Sequence, residues 1–293
     1  FWYLAWASAK LGATPQTYVF IVALVSLALL ARGLWLMGES DRREGILMWV
    51  MLFAAASSYL MYGNVLRQAM AFSLMAVVLG HLMNGRGFRA FVLTILGVLF
   101  HRSMMVFVLL VPISLSRILK TRHLKTIAIL APILSPIVIA VVASAGIPVI
   151  SDRVAAYQQR QSSLLTYVRI ALLYGSIFFY DVVLLKTELL DGRHERLFRL
   201  LLLITAVSSL SVAAPLIAER FVLYTTLFHV GFLASMFART RWRDVWLGLA
   251  VPVLMVLLGA SALYPGVQVN YVYGLGEASW SMIIAVNLLN YTS

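Results

Sequence analysis

Arg67 sits in an otherwise apolar run, with Asn64 before it and Gln68 directly after it. On a helix the three share one face through their i, i+3 and i+4 spacing. A guanidinium in hydrocarbon is costly, so it must snorkel, pair or face a wet cavity. Near a helix start, amide donors and the helix dipole would help it bind an anion. Its fork also matches two phosphate oxygens at once. The competing reading is a structural ion pair, with Glu219 as the candidate partner. His101 follows in Phe100-His101-Arg102-Ser103. A histidine there could exchange a proton near neutral pH, or merely bond a backbone carbonyl at a turn.

A second group lies in the stretch from Ser151 to Thr166, where Asp152, Arg153 and Arg160 are followed by Arg169. Three arginines so close could focus a diphosphate; singly, each also suits a lipid headgroup contact. Glu219 and Arg220 form a third group. Asp152 and Glu219 could each be a general base or only neutralise an arginine, and spacing leaves that open.

These groups need elements to hold them, and composition says what kind. The chain has 293 residues, no cysteine, 62% apolar residues and 12% charged residues. Its mean hydropathy is +0.93. An ordinary soluble domain is roughly 25% charged. Too little polar sequence is available to make a soluble skin, and disordered, collagen-like and disulfide-framework classes are excluded as well. Zero cysteines also exclude thiolate metal sites and thiol nucleophiles. The net charge of +12 would suggest nucleic acid in a soluble protein. In a membrane protein it concerns orientation, and no nucleic-acid partner is expected.

Apolar runs long enough to cross a bilayer recur at 15–37, 45–62, 64–83, 88–100, 103–119, 126–146, 166–186, 199–217, 221–238 and 245–264, with a fragment from 280. The expected fold is all-α, a polytopic transmembrane bundle of about 11 spans forming one catalytic domain over 1–293. Continuous rather than alternating apolar runs exclude a barrel. The start at Phe1 and the short last segment lead to the expectation that both ends are trimmed. Outer loops are expected at 151–165 and 265–279, the latter with glycines at 266, 274 and 276.

The pair 88–100 and 103–119 could be one helix or a hairpin. With the loop at Glu39 to Glu44 inside, a turn near His101 brings Arg117, Lys120, Arg122 and Lys125 inside too. Of the 23 Lys and Arg residues, only Lys10, Arg67, Arg102, Arg153, Arg160, Arg169 and Arg220 then remain outside. That satisfies the positive-inside rule, so a hairpin is expected. The inner charges read as orientation signals. His101 becomes the one histidine on the outer face. Asp181 is a lone acid toward the inner half of its span, in principle a transporter signal. No phosphate-binding glycine loop, zinc motif or internal repeat is present.

The chain resembles the EpsG family of bacterial polysaccharide polymerases, related in role to Wzy O-antigen polymerases. The resemblance rests on Leu66-Arg67-Gln68-Ala69-Met70-Ala71, on Phe100-His101-Arg102-Ser103, and more weakly on Glu219-Arg220-Phe221-Val222-Leu223-Tyr224. The motifs occur in the family's order and on one expected side of the membrane.

The resemblance implies a GT-C-like membrane glycosyltransferase in the bacterial inner membrane, with its site facing the periplasm. Donor and acceptor would be undecaprenyl-diphosphate-linked oligosaccharides, as in exopolysaccharide or lipopolysaccharide synthesis. A chain-length regulator and a flippase would be its partners. Inversion without a metal or other cofactor is implied. Arg67, with Asn64, Gln68, Arg153, Arg160, Arg169, Arg220 and Tyr224, would bind the diphosphate. His101, Asp152 or Glu219 would be the base, and His101 could instead contact the diphosphate. The alternatives are an O-antigen ligase or other polyprenyl-linked glycosyltransferase, a flippase or transporter of lipid-linked glycans, and a structural subunit.

Overall fold

A computed structural model describes residues 2–38, 44–49, 66–116, 118–144, 164–186, 190–211 and 215–239. All described regular elements are helical. They are α1 (Trp2–Lys10), α2 (Pro15–Met37), α3 (Leu66–Met83), α4 (Gly87–Val98), α5 (Met105–Leu115), α6 (Thr121–Ser144), α7 (Leu164–Phe179), α8 (Gly192–Leu210) and α9 (Pro215–Arg239). A 3-10 turn (Arg102–Met104) precedes α5, and a π-helical turn (Tyr180–Leu185) prolongs α7. The helix expected at 45–62 lies mostly, and those at 245–264 and from 280 wholly, outside the described residues.

The start of α2 is written locally. Thr14 Oγ1 accepts from the Thr17 N–H at 3.2 Å, and Pro15 occupies the first turn, where its missing N–H costs nothing. α2 then packs against α3 with both chains running the same way. Ser26 meets Met70, Gly33 meets Ala76, and Leu36 meets Gly80. The approach is close enough that a Cβ on Gly33 or on Gly80 would fall 2.5 Å from the facing helix. Small residues at such a crossing let backbones touch where burial of apolar surface drives little association.

The expected hairpin is present. Gly87 lies against Leu115 and Gly97 against Met104, so α4 and α5 run antiparallel about a turn at His101. α6 and α8 run parallel. Thr121 Oγ1 donates to Glu195 at 3.0 Å near their starts, and Ser135 Oγ donates to the Leu210 carbonyl at 2.8 Å farther along. α9 returns antiparallel to α8.

α8 is the axis of the bundle. Every residue from Leu200 to Ala206 is buried, as expected for a helix surrounded on all sides. Outer helices are two-faced. α6 turns Leu124, Ala128, Ala131 and Ser135 inward and leaves Ile129, Ile133, Ile137 and Val141 more than half exposed. Exposed apolar surface on this scale suits acyl chains, not water. Among the described residues, Pro15–Met37 and Thr121–Val141 are long and apolar enough to cross a membrane by themselves. Pro132 in α6 has no N–H for the Ala128 carbonyl. The Tyr174 hydroxyl supplies it from α7 at 2.5 Å.

Two boundaries differ from the hydropathy reading. α8 starts at Gly192, before the expected 199, because Asp191 Oδ1 caps the Arg193 N–H at 3.0 Å. Its first turns are charged, so hydropathy misses them. The turn expected after Ile217 is also misplaced. α8 ends at Leu210 and α9 begins at Pro215, so Glu219 and Arg220 stand within a helix. Apolar Leu216 and Ile217 hid that boundary, whereas Pro215 marks it.

The basic residues at the start of α8 do more than orient the chain. Arg193 donates to the Met37 carbonyl at 3.1 Å. Arg196 donates to the Leu82 and Met83 carbonyls at 3.3 and 2.9 Å. Arg199 donates to the Ser116 carbonyl and, at 2.7 Å, to the Leu119 carbonyl. One helix start thereby caps the ends of α2, α3 and α5, where carbonyls have no intrahelical partner. Replacing Arg196 by alanine should cost about 1.5–3 kcal/mol per charged hydrogen bond lost. The expected result is a clearly lower unfolding midpoint in detergent, with Arg196→Lys intermediate and the exposed control Arg89→Ala unchanged. Equal midpoints for all three would remove the capping role.

Candidate functional site

The end of the bundle opposite those arginines gathers the starts of α2, α3 and α9 and the α4–α5 turn. Arg67 and Gln68 occupy the second and third positions of α3, both half-buried. The charge of Arg67 reaches the Tyr18 phenol near the start of α2. Tyr18 shares an apolar cluster with Met70 of α3, and Phe100, the residue before His101, packs against that cluster. Sequence reading placed Arg67 and His101 on one side of the membrane. Packing through Tyr18, Met70 and Phe100 brings their two segments into one corner.

The turn itself is a hydrogen-bonded device. His101 has extended backbone, φ −150° and ψ 131°, and caps the 3-10 turn. Its Nδ1 accepts from the Ser103 N–H at 3.2 Å and lies 2.6 Å from Ser103 Oγ. Ser103 Oγ also lies 2.7 Å from the Tyr224 hydroxyl, across 121 residues of chain. Tyr224 is fully buried. Phe107 meets it edge-on with centroids 5.2 Å apart, and Phe72 flanks it at 6.2 Å. Two aromatic contacts and one hydroxyl bond therefore join α3, α5 and α9 beneath His101.

The other expected residues fare differently. Asn64, Asp152, Arg153 and Arg160 lie outside the described residues, as do the loops at 265–279 and almost all of 151–165. Arg169 stands in the first turns of α7, and Glu219 and Arg220 in those of α9; their side chains are not among those described. The structure adds Ser103 and Tyr18 to this end of the bundle. The His-x-Ser spacing is the signal that could have marked Ser103, since side chains two residues apart bond readily at caps and turns. Tyr18 carries no comparable signal.

Polar clusters elsewhere have structural partners. Asp181 is not alone: Lys125 Nζ lies 2.5 Å from its Oδ1 and also over the Phe198 ring. His229 Nδ1 lies 2.8 Å from the Tyr180 hydroxyl. At the arginine end, Asp191, His194 and Ser235 form a chain with the spacing of an acid–base–nucleophile relay, 2.9 and 2.8 Å. His194 and Ser235 are fully buried, so no substrate reaches them. Arg239 ties this chain to Glu44 at 3.4 Å and to Asp191 at 3.2 Å. Burial alone would raise the Asp191 carboxyl, but the bonds and charges of His194 and Arg239 hold it at about 2. The cluster fastens residues 44–49, α8 and α9 together. Among the described residues, no three His, Asp or Glu side chains gather as a metal site.

The model of the EpsG family matches residues 1–272 of the chain. No curated protein and no solved structure matches it.

Tyr224→Phe keeps the aromatic packing and removes only the hydroxyl, at an expected cost of about 1 kcal/mol. Tyr224→Ala also empties the space between Phe72 and Phe107 and should cost about 3–5 kcal/mol. Thermal unfolding in detergent separates the two; equal losses would mean that the hydroxyl, not the ring, carries the site.

Proposed function

Because the chain belongs to the EpsG family, whose function is of the exopolysaccharide or O-antigen polymerase type, we propose that it polymerises glycan repeat units at the outer face of the bacterial inner membrane. The donor is an oligosaccharide on undecaprenyl diphosphate, and the acceptor is another lipid-linked repeat. The observation that supports the reading is that α3, which carries Arg67, and Phe100, the residue before His101, pack into one apolar cluster through Met70 and Tyr18. A cation and a hydrogen-bonding turn at one end of an apolar bundle suit a substrate whose anionic diphosphate sits at the membrane surface.

In the transfer, an acceptor hydroxyl oxygen bonds to the donor anomeric carbon. The bond from that carbon to the diphosphate oxygen breaks, and its electron pair departs on undecaprenyl diphosphate. The hydroxyl proton passes to a general base and then to solvent. Arg67 stabilises the charge that develops on the leaving diphosphate. Arg153, Arg160, Arg169 and Arg220, with Asn64 and Gln68, are the further candidates for holding it. His101, Asp152 and Glu219 are the candidates for base. The reaction inverts the anomeric centre and needs no metal. A chain-length regulator and a flippase supply its context.

The test is purified protein reconstituted with a defined undecaprenyl-diphosphate repeat unit in the presence of EDTA, with product length read by gel and mass spectrometry. A ladder of added repeats is expected from the native chain. Arg67→Ala, at normal protein level, should give none, a loss of about 100-fold or more. Long-chain product from that variant would remove Arg67 from the site. No ladder from the native chain with its own repeat unit would overturn the polymerase reading. Capture of the glycan on added lipid A core would then indicate a ligase, and translocation without new glycosidic bonds a transporter.

A further inference from the structure

His101 has one way to be a general base at the substrate and several ways not to be. An imidazole accepts a proton only through the nitrogen that lacks one. A neutral histidine that works as a base through Nε2 therefore keeps its proton on Nδ1, held by an acceptor, as an aspartate holds it in a serine-protease triad. The Asp191–His194–Ser235 chain at the far end has this arrangement, with a carboxylate oxygen 2.9 Å from Nδ1. His101 has the opposite one. Its Nδ1 faces the Ser103 N–H, a group that can only donate, at 3.2 Å. Ser103 Oγ stands 2.6 Å from the same nitrogen, and the Tyr224 hydroxyl 2.7 Å behind it. With the N–H donating to Nδ1, the consistent assignment of the other two bonds is Ser103 O–H to Nδ1 and Tyr224 O–H to Ser103 Oγ. The lone pair of the ring is thus turned inward, to the turn, and the ring proton sits on Nε2.

We infer that His101 meets the donor diphosphate as a hydrogen-bond donor through Nε2, that Ser103 and Tyr224 are positioning residues that fix this tautomer, and that His101 is not the general base. The inference rests on the polymerase reading above and deepens it. Protonating the ring does not restore a base, because Nε2 keeps its proton in the imidazolium as well. No proton leaves His101 during transfer; its N–H bond to a diphosphate oxygen shortens as charge builds there. Arg67, tied to the same corner through Tyr18, then acts with His101 on one leaving group. The acceptor proton falls to a carboxylate, and Glu219, five residues before Tyr224 on α9, is one candidate beside Asp152.

The burial of Tyr224 gives the chain its rigidity. With its ring fixed between Phe72 and Phe107, the hydroxyl has one direction in which to find a partner. A histidine on a mobile turn would otherwise sample both tautomers.

The first test needs no turnover. Histidine labelled with nitrogen-15 is incorporated into the full chain, and imidazole nitrogen shifts are recorded in detergent at about pH 8, above the ordinary histidine range near 6.5. The chain holds 5 histidines, and the signal missing from His101→Gln assigns the ring. Protonation on Nε2 is expected. Ser103→Ala, which keeps the backbone N–H on Nδ1 and removes only the hydroxyl, should weaken the preference for Nε2 protonation without reversing it, and Tyr224→Phe should weaken it less. Protonation on Nδ1 in the native chain would overturn the inference.

The second test is kinetic, in the reconstituted assay. The glutamine amide reaches about where Nε2–H stands but cannot take a proton. His101→Gln should therefore keep turnover within about tenfold, while His101→Ala loses about 100-fold or more. The acid limb of the pH–rate profile should survive in His101→Gln. If glutamine is as inactive as alanine, or that limb disappears, His101 is the base after all. A native chain that makes no polymer would sink the polymerase reading alone, since the nitrogen shifts would still decide the tautomer.

Discussion

The start of α8 is where the bundle is tied together. Arg193, Arg196 and Arg199 recur at i, i+3 and i+6, so they fan across one side of the helix rather than stacking in a line. Each reaches carbonyls at the end of a different helix, α2, α3 and α5. Carbonyls at a helix end are the backbone groups most in need of a donor where water is scarce. Capping five such carbonyls from the first turns of α8 sets the depth of three helices relative to the axis. Asn84 reinforces the same junction by donating to the Leu36 and Gly80 carbonyls at 2.7 and 2.9 Å. The close crossing of α2 and α3 through Gly33 and Gly80 then has a fixed depth as well as a fixed distance.

The consequence is felt at the opposite end. α2 and α3 run parallel, so fixing where they finish also fixes where they start. Tyr18 and Arg67 sit at those starts. α5 is pinned at its end by Arg199, which sets the height of the turn at His101. α9 is held near its end by Arg239 and Ser235, which fixes the level at which Tyr224 meets Ser103. A hydrogen bond of 2.7 Å tolerates little error in that level. The candidate site thus inherits its geometry from charged contacts at the far end of four helices.

Two kinds of polar group therefore share a chain with few charges. Those at the arginine end are consumed by structure: arginines on carbonyls, and His194, Asp191, Ser235, Arg239 and Glu44 on one another. At the hairpin end His101 and Ser103 are half-buried above a sealed aromatic floor. The relay of Asp191, His194 and Ser235 shows that catalytic spacing alone identifies nothing; access does.

The sequence by itself determined the helical class, the membrane setting and the hairpin, because apolar run length and basic residue placement act locally and leave a direct trace. It also determined that Arg67 and His101 share a side, since crossings alternate. Only the tertiary structure decided what the α8 arginines hold, because a backbone carbonyl has no residue type by which to be recognised. The same is true of the boundary at Pro215, where two apolar helices abut and hydropathy does not change. Tyr224 was marked by resemblance, but its bond to Ser103 spans 121 residues and depends on the depth of α9. The orientation of His101 Nδ1 is likewise a product of folding: composition puts an imidazole at the turn, and only the neighbours that close around it choose which nitrogen keeps the proton.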